Sequence, residues 1–173
     1  MMMRDAFHEE LDQISQSLLN MASLVNLAME DATQALLTPD LGIAEKVIAA
    51  DDVIDQMQHD LDARTISLMA RQQPVASDLR TLVTSLRMSA DLERMGDMSH
   101  HVAKITRLRH PNSAIPSELV HIFSDMGAAA EKIARKTGSV IGSRDTDVAL
   151  EVERDDDEID ALHRELIGAL IAP

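Results

Sequence analysis

The chain has 173 residues, with 30 acidic against 16 basic side chains, a formal net charge of −14 and no cysteine. That balance argues against nucleic acid and against direct binding to anionic lipid, both of which need a basic face, and the lack of cysteine excludes disulfides and thiolate metal sites. Phe7 and Phe123 are the only aromatic residues, so the core must be built from Leu, Ile, Val, Ala and Met, which suit helix packing better than strands.

Five helices follow from the apolar spacing. The first is expected over about 4–37, with Phe7, Leu11, Ile14, Leu18, Met21, Val25, Ala28 and Ala32 on one face. Pro39 stops it, and Asp40 is placed to cap the next. The second runs over about 41–71, with Ile43, Val47, Ile54, Leu61 and Leu68 in register, and Gln72-Gln73-Pro74 breaks it. The third covers about 75–108, with an apolar stripe of Leu79, Leu82, Val83, Leu86 and Ala90. Residues 111–116, bounded by Pro111 and Pro116, read as a linker between two units, 1–110 and 117–173. The fourth helix is expected over about 117–141. Gly142-Ser143-Arg144-Asp145 is a stop followed by a cap, and the fifth starts near Thr146 and presents Val148, Val152, Ile159, Leu162, Leu166 and Leu170. Nothing in this pattern is long and apolar enough to span a bilayer. No apolar signal core follows the charged start, so the expected location is cytoplasmic.

The chain also repeats itself. Shifted by 105 positions, Asp40 falls on Asp145, Asp51-Asp52-Val53-Ile54-Asp55 falls on Asp156-Asp157-Glu158-Ile159-Asp160, and Leu61 falls on Leu166. A repeat of this length marks one supersecondary unit used twice. Long helices with short connections pack as antiparallel neighbours. The fold class is therefore all-α: tandem three-helix bundles, the second lacking its third helix. A sixth helix, removed or disordered, or a second chain, is expected to cover the remaining apolar face.

Carboxylates at i and i+4 lie on one helix face. Asp51 with Asp55, Glu93 with Asp97, and Asp156 with Asp160 are such pairs. Two pairs opposed on neighbouring helices make an oxygen-rich cation site. Glu93 and Asp97 continue the third helix's apolar stripe, where a carboxylate has to be paired, metal-bound or facing a wet groove. His100 and His101 follow one turn later as further candidate ligands, and Asp52 and Asp157 flank the pairs as supporting groups or solvated charges. Arg94 is a candidate counter-ion. The alternative for every pair is a solvated acidic face. There is no glycine-rich phosphate loop, nucleophile elbow or basic anion cradle in the sequence.

Gln73-Pro74-Val75-Ala76-Ser77-Asp78-Leu79-Arg80, followed by Asp91-Leu92-Glu93-Arg94-Met95-Gly96-Asp97, resembles the PhoU family of phosphate-uptake regulators, as do Phe7-His8-Glu9-Glu10-Leu11 and the Asp51-to-Asp55 cluster. The resemblance spans nearly the whole chain in order. It implies two three-helix bundles and multinuclear metal binding through Glu/Asp-x-x-x-Asp motifs, carried by Asp51 with Asp55 and Glu93 with Asp97. Asp156 with Asp160 is the motif's counterpart in the second unit, where the family's last helix and its matching motif are not found. It implies divalent or trivalent metal, iron or zinc with Mg as a further option, and a homodimer. The implied role is non-catalytic: repression of the phosphate-starvation response by linking the ATPase subunit of a phosphate transporter to a membrane sensor histidine kinase. Membranes would be met only through those protein partners. The alternatives are a metal-dependent helical enzyme using the same carboxylates and a metal-free helical adaptor.

Overall fold

The computed structural model describes residues 2–171. Five long helices carry the fold: α1 (Met2–Leu37), α2 (Leu41–Gln72), α3 (Ala76–Arg109), α4 (Val120–Ser143) and α5 (Thr146–Ile171). No strand occurs among the described residues. A single 3-10 turn, Ser117–Leu119, precedes α4. The fourth α-helix therefore starts three residues later than the sequence suggests. The turn follows Pro116 and buries Leu119.

The helix ends have local causes. The Asp40 carboxylate accepts from the Ile43 backbone N–H at 3.0 Å, capping α2 as its sequence position suggests. Gln73 and Arg144 adopt left-handed conformations, and their N–H groups donate to Met69 and Val140 carbonyls at 3.1 and 2.8 Å. Arg144, not Gly142, is thus the residue at which α4 turns; Gly142 is still helical.

α1 packs against α2, α3 and α4, and α5 packs against α4. The α1 face expected from spacing is the one buried: Phe7, Ile14, Leu18, Met21, Val25, Ala28 and Ala32 are all in the core. They meet Val47, Ile54 and Leu61 of α2 and Leu92 and Ala103 of α3, with Leu68 and Leu82 closing one end. Each fully buried Leu or Ile contributes about 2 kcal/mol of transfer free energy. Ile115, Leu119, Ile122 and Leu166 form a separate cluster against Leu36 and Leu37, joining α4 and α5 to the end of α1.

The buried side of α3 differs from the expected stripe. Leu79 and Val83 are exposed, and the inward seam is Leu82, Ser85, Ser89, Leu92, Gly96, Ser99, Ala103 and Thr106. Small residues replace large ones there because α3 lies close to its neighbours. Their hydroxyls are satisfied within the helix: Ser85 donates to Thr81 O at 3.0 Å and Ser99 to Met95 O at 3.1 Å.

α4 approaches α1 just as closely. A Cβ on Gly127 would collide with the methyl of Thr33, whose hydroxyl is fixed by donation to Met29 O at 2.9 Å. Gly127→Ala is expected to lower the unfolding free energy by about 1–2 kcal/mol, because overpacking outweighs the gain of roughly 1 kcal/mol in helix propensity. A shifted urea midpoint checks this.

α5 is attached by a polar contact inside its apolar face. Asp155 lies between Lys132 and Lys136 of α4 at 2.7 Å from each. Those two hydrogen bonds hold its carboxyl below the ordinary Asp range. Val148, Val152, Ile159 and Leu162 are half-buried beside it, while Leu170 is exposed.

Candidate metal centre

The antiparallel pairing of α2 and α3 brings two acidic motifs together. The contact point is Gly96: a Cβ there would stand 3.1 Å from Ile54 Cδ1 and 3.3 Å from Ile54 Cγ2. Ile54 lies between Asp51 and Asp55, and Gly96 lies between Glu93 and Asp97. The close approach of one small and one large apolar residue therefore sets the carboxylates on both sides of it face to face.

Two overlapping triads result. Ligand atoms of Asp51, Asp97 and His100 all lie within 4.8 Å of one another, and so do those of Asp55, Glu93 and Asp97. Asp97 belongs to both. Asp51 is buried at 7% exposure, with one oxygen facing His100 Nδ1. Its Oδ1, the Asp55 Oδ1 and the His100 Nε2 are buried and have no hydrogen-bond partner. Orphaned buried donors and acceptors are costly, roughly 1–3 kcal/mol each and more for charged groups. Unpartnered carboxylate oxygens on Asp51 and Asp55, each in a triad that shares Asp97, fit a bound cation.

The electrostatics agree. Burial raises the Asp55 carboxyl above its usual range, and the charges of Asp51, Asp97 and Asp52 add to that while His59 opposes it. Burial likewise raises Glu93, with further contributions from Asp97, Asp55 and Asp51, against the opposing charge of Arg94. A carboxyl whose folded pKa exceeds its unfolded value binds its proton more tightly when folded. The stability it contributes is full below the unfolded pKa and is lost as pH rises through the folded pKa. Metal-free protein is thus expected to lose stability, relative to Asp55→Asn/Glu93→Gln, as pH rises above the ordinary carboxylate range of about 4. Urea midpoints of the two proteins from below that range to above it test this, and a constant difference contradicts it.

Of the other expected residues, His101 is exposed and stacks on His100 with ring centroids 6.0 Å apart and planes 16° apart. Asp52 is exposed and acts only through its charge on Asp55. Asp156, Asp157 and Asp160 are exposed, and the structure brings no partner ligand to them among the described residues. The reason lies in the repeat itself. Asp51 is buried because α3 lies over it, and no described helix lies over Asp156. Arg94 makes no ion pair with Asp91 but sits close enough to Glu93 to favour its charge. Gly96 is the positioning residue that spacing arguments missed; its signal is the single glycine inside an otherwise uninterrupted helical segment.

The PhoU domain family model matches residues 18–106 and 123–172. The phosphate-specific transport system accessory protein PhoU homolog 2 of Mycobacterium tuberculosis is 41% identical over 169 residues, covering 98% of this chain and 79% of that protein. The PhoU homolog of Rhizobium meliloti is 32% identical over 166 residues, covering 96% of this chain and 70% of its own length. The crystal structure of PhoU from Pseudomonas aeruginosa superposes with a TM-score of 0.83 at 31% identity, over 95% of this chain and 80% of that one. The phosphate transport system regulatory protein PhoU from Streptococcus pneumoniae gives 0.80 at 30% identity, over 94% and 77%.

Proposed function

The chain belongs to the PhoU family, and on that premise we propose that it is a non-catalytic regulator of phosphate uptake. It acts in the cytoplasm on the ATPase subunit of a phosphate transporter and on a sensor histidine kinase, and keeps the phosphate-starvation response off while phosphate is plentiful. The names of its relatives, accessory and regulatory proteins of a phosphate transport system, support the transporter side of this reading. Met98, Ile105 and Leu108 leave an exposed apolar strip along the outer face of α3, which offers a partner protein or a second copy a surface to dock on. No described helix is long and apolar enough to cross a membrane; on this reading the chain meets the membrane through those partners.

The observation that carries the metal part of the reading is the pair of ligand triads that share Asp97, with unpartnered oxygens on Asp51 and Asp55. Asp51, Asp97 and His100 form a mixed nitrogen and oxygen set, which suits zinc or iron. Asp55, Glu93 and Asp97 form an all-oxygen set, which accepts iron or Mg equally well. A cation held there cross-links α2 to α3 and neutralises the charge crowded between them. The chain's own residues do the rest: Gly96 and Ile54 fix the spacing, and the helices transmit it along the bundle.

Deleting the gene in its host and following a reporter of high-affinity phosphate uptake tests the function. The reporter is expected to stay on in phosphate-rich medium and to be silenced by the wild-type gene. A reporter that stays off after deletion overturns the regulatory reading.

A further inference from the structure

A second candidate site lies where the two units meet, lined by none of the carboxylates of the α2–α3 cleft. α1, α3 and the turn between α4 and α5 enclose a solvent-open cavity of about 360 Å³. That volume is at the scale of small-ligand sites. Its rim brings together Arg80 of α3 and Arg144 of the turn, residues distant in sequence and on different units. Neither guanidinium has an ion-pair or hydrogen-bond partner among the described residues, although carboxylates nearly double the cations in this chain. The hydroxyls of Ser15, Thr84 and Thr146 border the same cavity and are likewise uncommitted, unlike those of Thr81 and Ser85, which donate to their own helix.

The one carboxylate on the rim, Asp145, is already engaged. Its Oδ1 accepts from the Asp147 backbone N–H at 2.8 Å and caps α5. Below the rim the wall is apolar, formed by Leu18, Met88 and Val140. A cavity lined by two exposed arginines without partners among the described residues, by uncommitted Ser15, Thr84 and Thr146, and by the buried or half-buried apolar Leu18, Met88 and Val140 is suited to an anion with an apolar body. Guanidiniums recognise phosphate oxygens through paired, charge-assisted hydrogen bonds. A methionine floor accepts a flat ring through sulfur–aromatic contact.

We propose that this cavity binds a small phosphate ester with a planar apolar body, of nucleoside monophosphate size, with its phosphate held by Arg80 and Arg144. Occupancy ties α3 of the first unit to the α4–α5 turn of the second. It neutralises two charges and leaves the carboxylate cleft untouched. A ligand here acts on how the units sit together and is independent of any metal.

Isothermal titration calorimetry on the 173-residue protein tests this with three probes: adenosine monophosphate, inorganic phosphate and adenosine. Adenosine monophosphate is expected to bind with a Kd below about 1 mM, and inorganic phosphate at least about tenfold more weakly. Adenosine is expected to give no heat. Arg80→Gln/Arg144→Gln should lose the nucleotide signal by at least about tenfold. Arg87→Gln/Arg109→Gln, which removes the same charge from α3 outside the cavity, should keep it. No binding of the nucleotide, or equal loss in both double variants, overturns the site. Phosphate binding as tightly as the nucleotide overturns the role of the apolar floor.

Discussion

Adding zinc or ferrous ion to metal-free protein is expected to raise its melting temperature, and Glu93→Gln/Asp97→Asn is expected to abolish the response. The two substitutions keep the shape of the side chains and remove their charge. They strike both triads at once, because Asp97 is common to Asp51, Asp97, His100 and to Asp55, Glu93, Asp97. A ligand at about 100 times its Kd stabilises the folded state by about 2.7 kcal/mol. In a chain of this size that is about 5–10 °C in melting temperature. The direction without metal is the more diagnostic half. Removing an ordinary paired carboxylate weakens a protein, whereas here burial and the neighbouring charges across the α2–α3 contact already raise the carboxyls of Glu93 and Asp55. The double variant should therefore be at least as stable as wild type when both are stripped of metal. Equal melting responses across a metal titration would leave these carboxylates as a solvated face.

Gly96→Leu should lower the unfolding free energy by about 3 kcal/mol and weaken metal stabilisation as well. The added side chain has to enter space filled by Ile54, which is itself 1% exposed and has little room to retreat. If the helices separate to relieve the clash, the ligand atoms on either side of Ile54 separate with them. The matching control is Gly168→Leu on α5, where a Cβ meets nothing within 4 Å. That change should be neutral or slightly stabilising through helix propensity. Thermal melts of both variants with and without metal separate the packing effect from the site effect. Wild-type behaviour of Gly96→Leu would contradict the assignment of Gly96 as the spacer.

Much of the fold is legible in the sequence because its helices are long and its breaks are chemical. Pro39 and Pro74 interrupt apolar periodicity at the observed turns, and the α1 stripe from Phe7 to Ala32 is the buried face. α3 resists the same reading. Its inward seam of Ser85, Ser89, Gly96 and Ser99 carries no hydrophobic signal, while Leu79 and Val83 point the pattern towards solvent. Glu93 and Asp97 thus lie beside the core seam and do not interrupt it, and it is the α2 carboxylates across from them that make their position special. The choice between His100 and His101 depends on a 100° step whose direction only α2 fixes. The equivalence of Asp156 to Asp51 is exact in sequence and is not matched in burial, since burial is conferred by a third helix and not by the motif. Arg80 and Arg144 meet through the packing of α3 against the α4–α5 turn, and no local pattern links them.

The unequal anchoring of the helices sets an order of local opening. α1 is surrounded by α2, α3 and α4, whereas α5 leans on α4 through Asp155, Leu166 and a row of half-buried side chains. Helices with few buried apolar contacts exchange their amide hydrogens through small openings, and central ones exchange only when the whole domain unfolds. α5 is accordingly the helix that detaches at least cost, and its departure leaves the α2–α3 carboxylate cleft intact. The molecule can rearrange α5, by a partner's grip or a neighbouring helix, without disturbing the charge cluster held between α2 and α3.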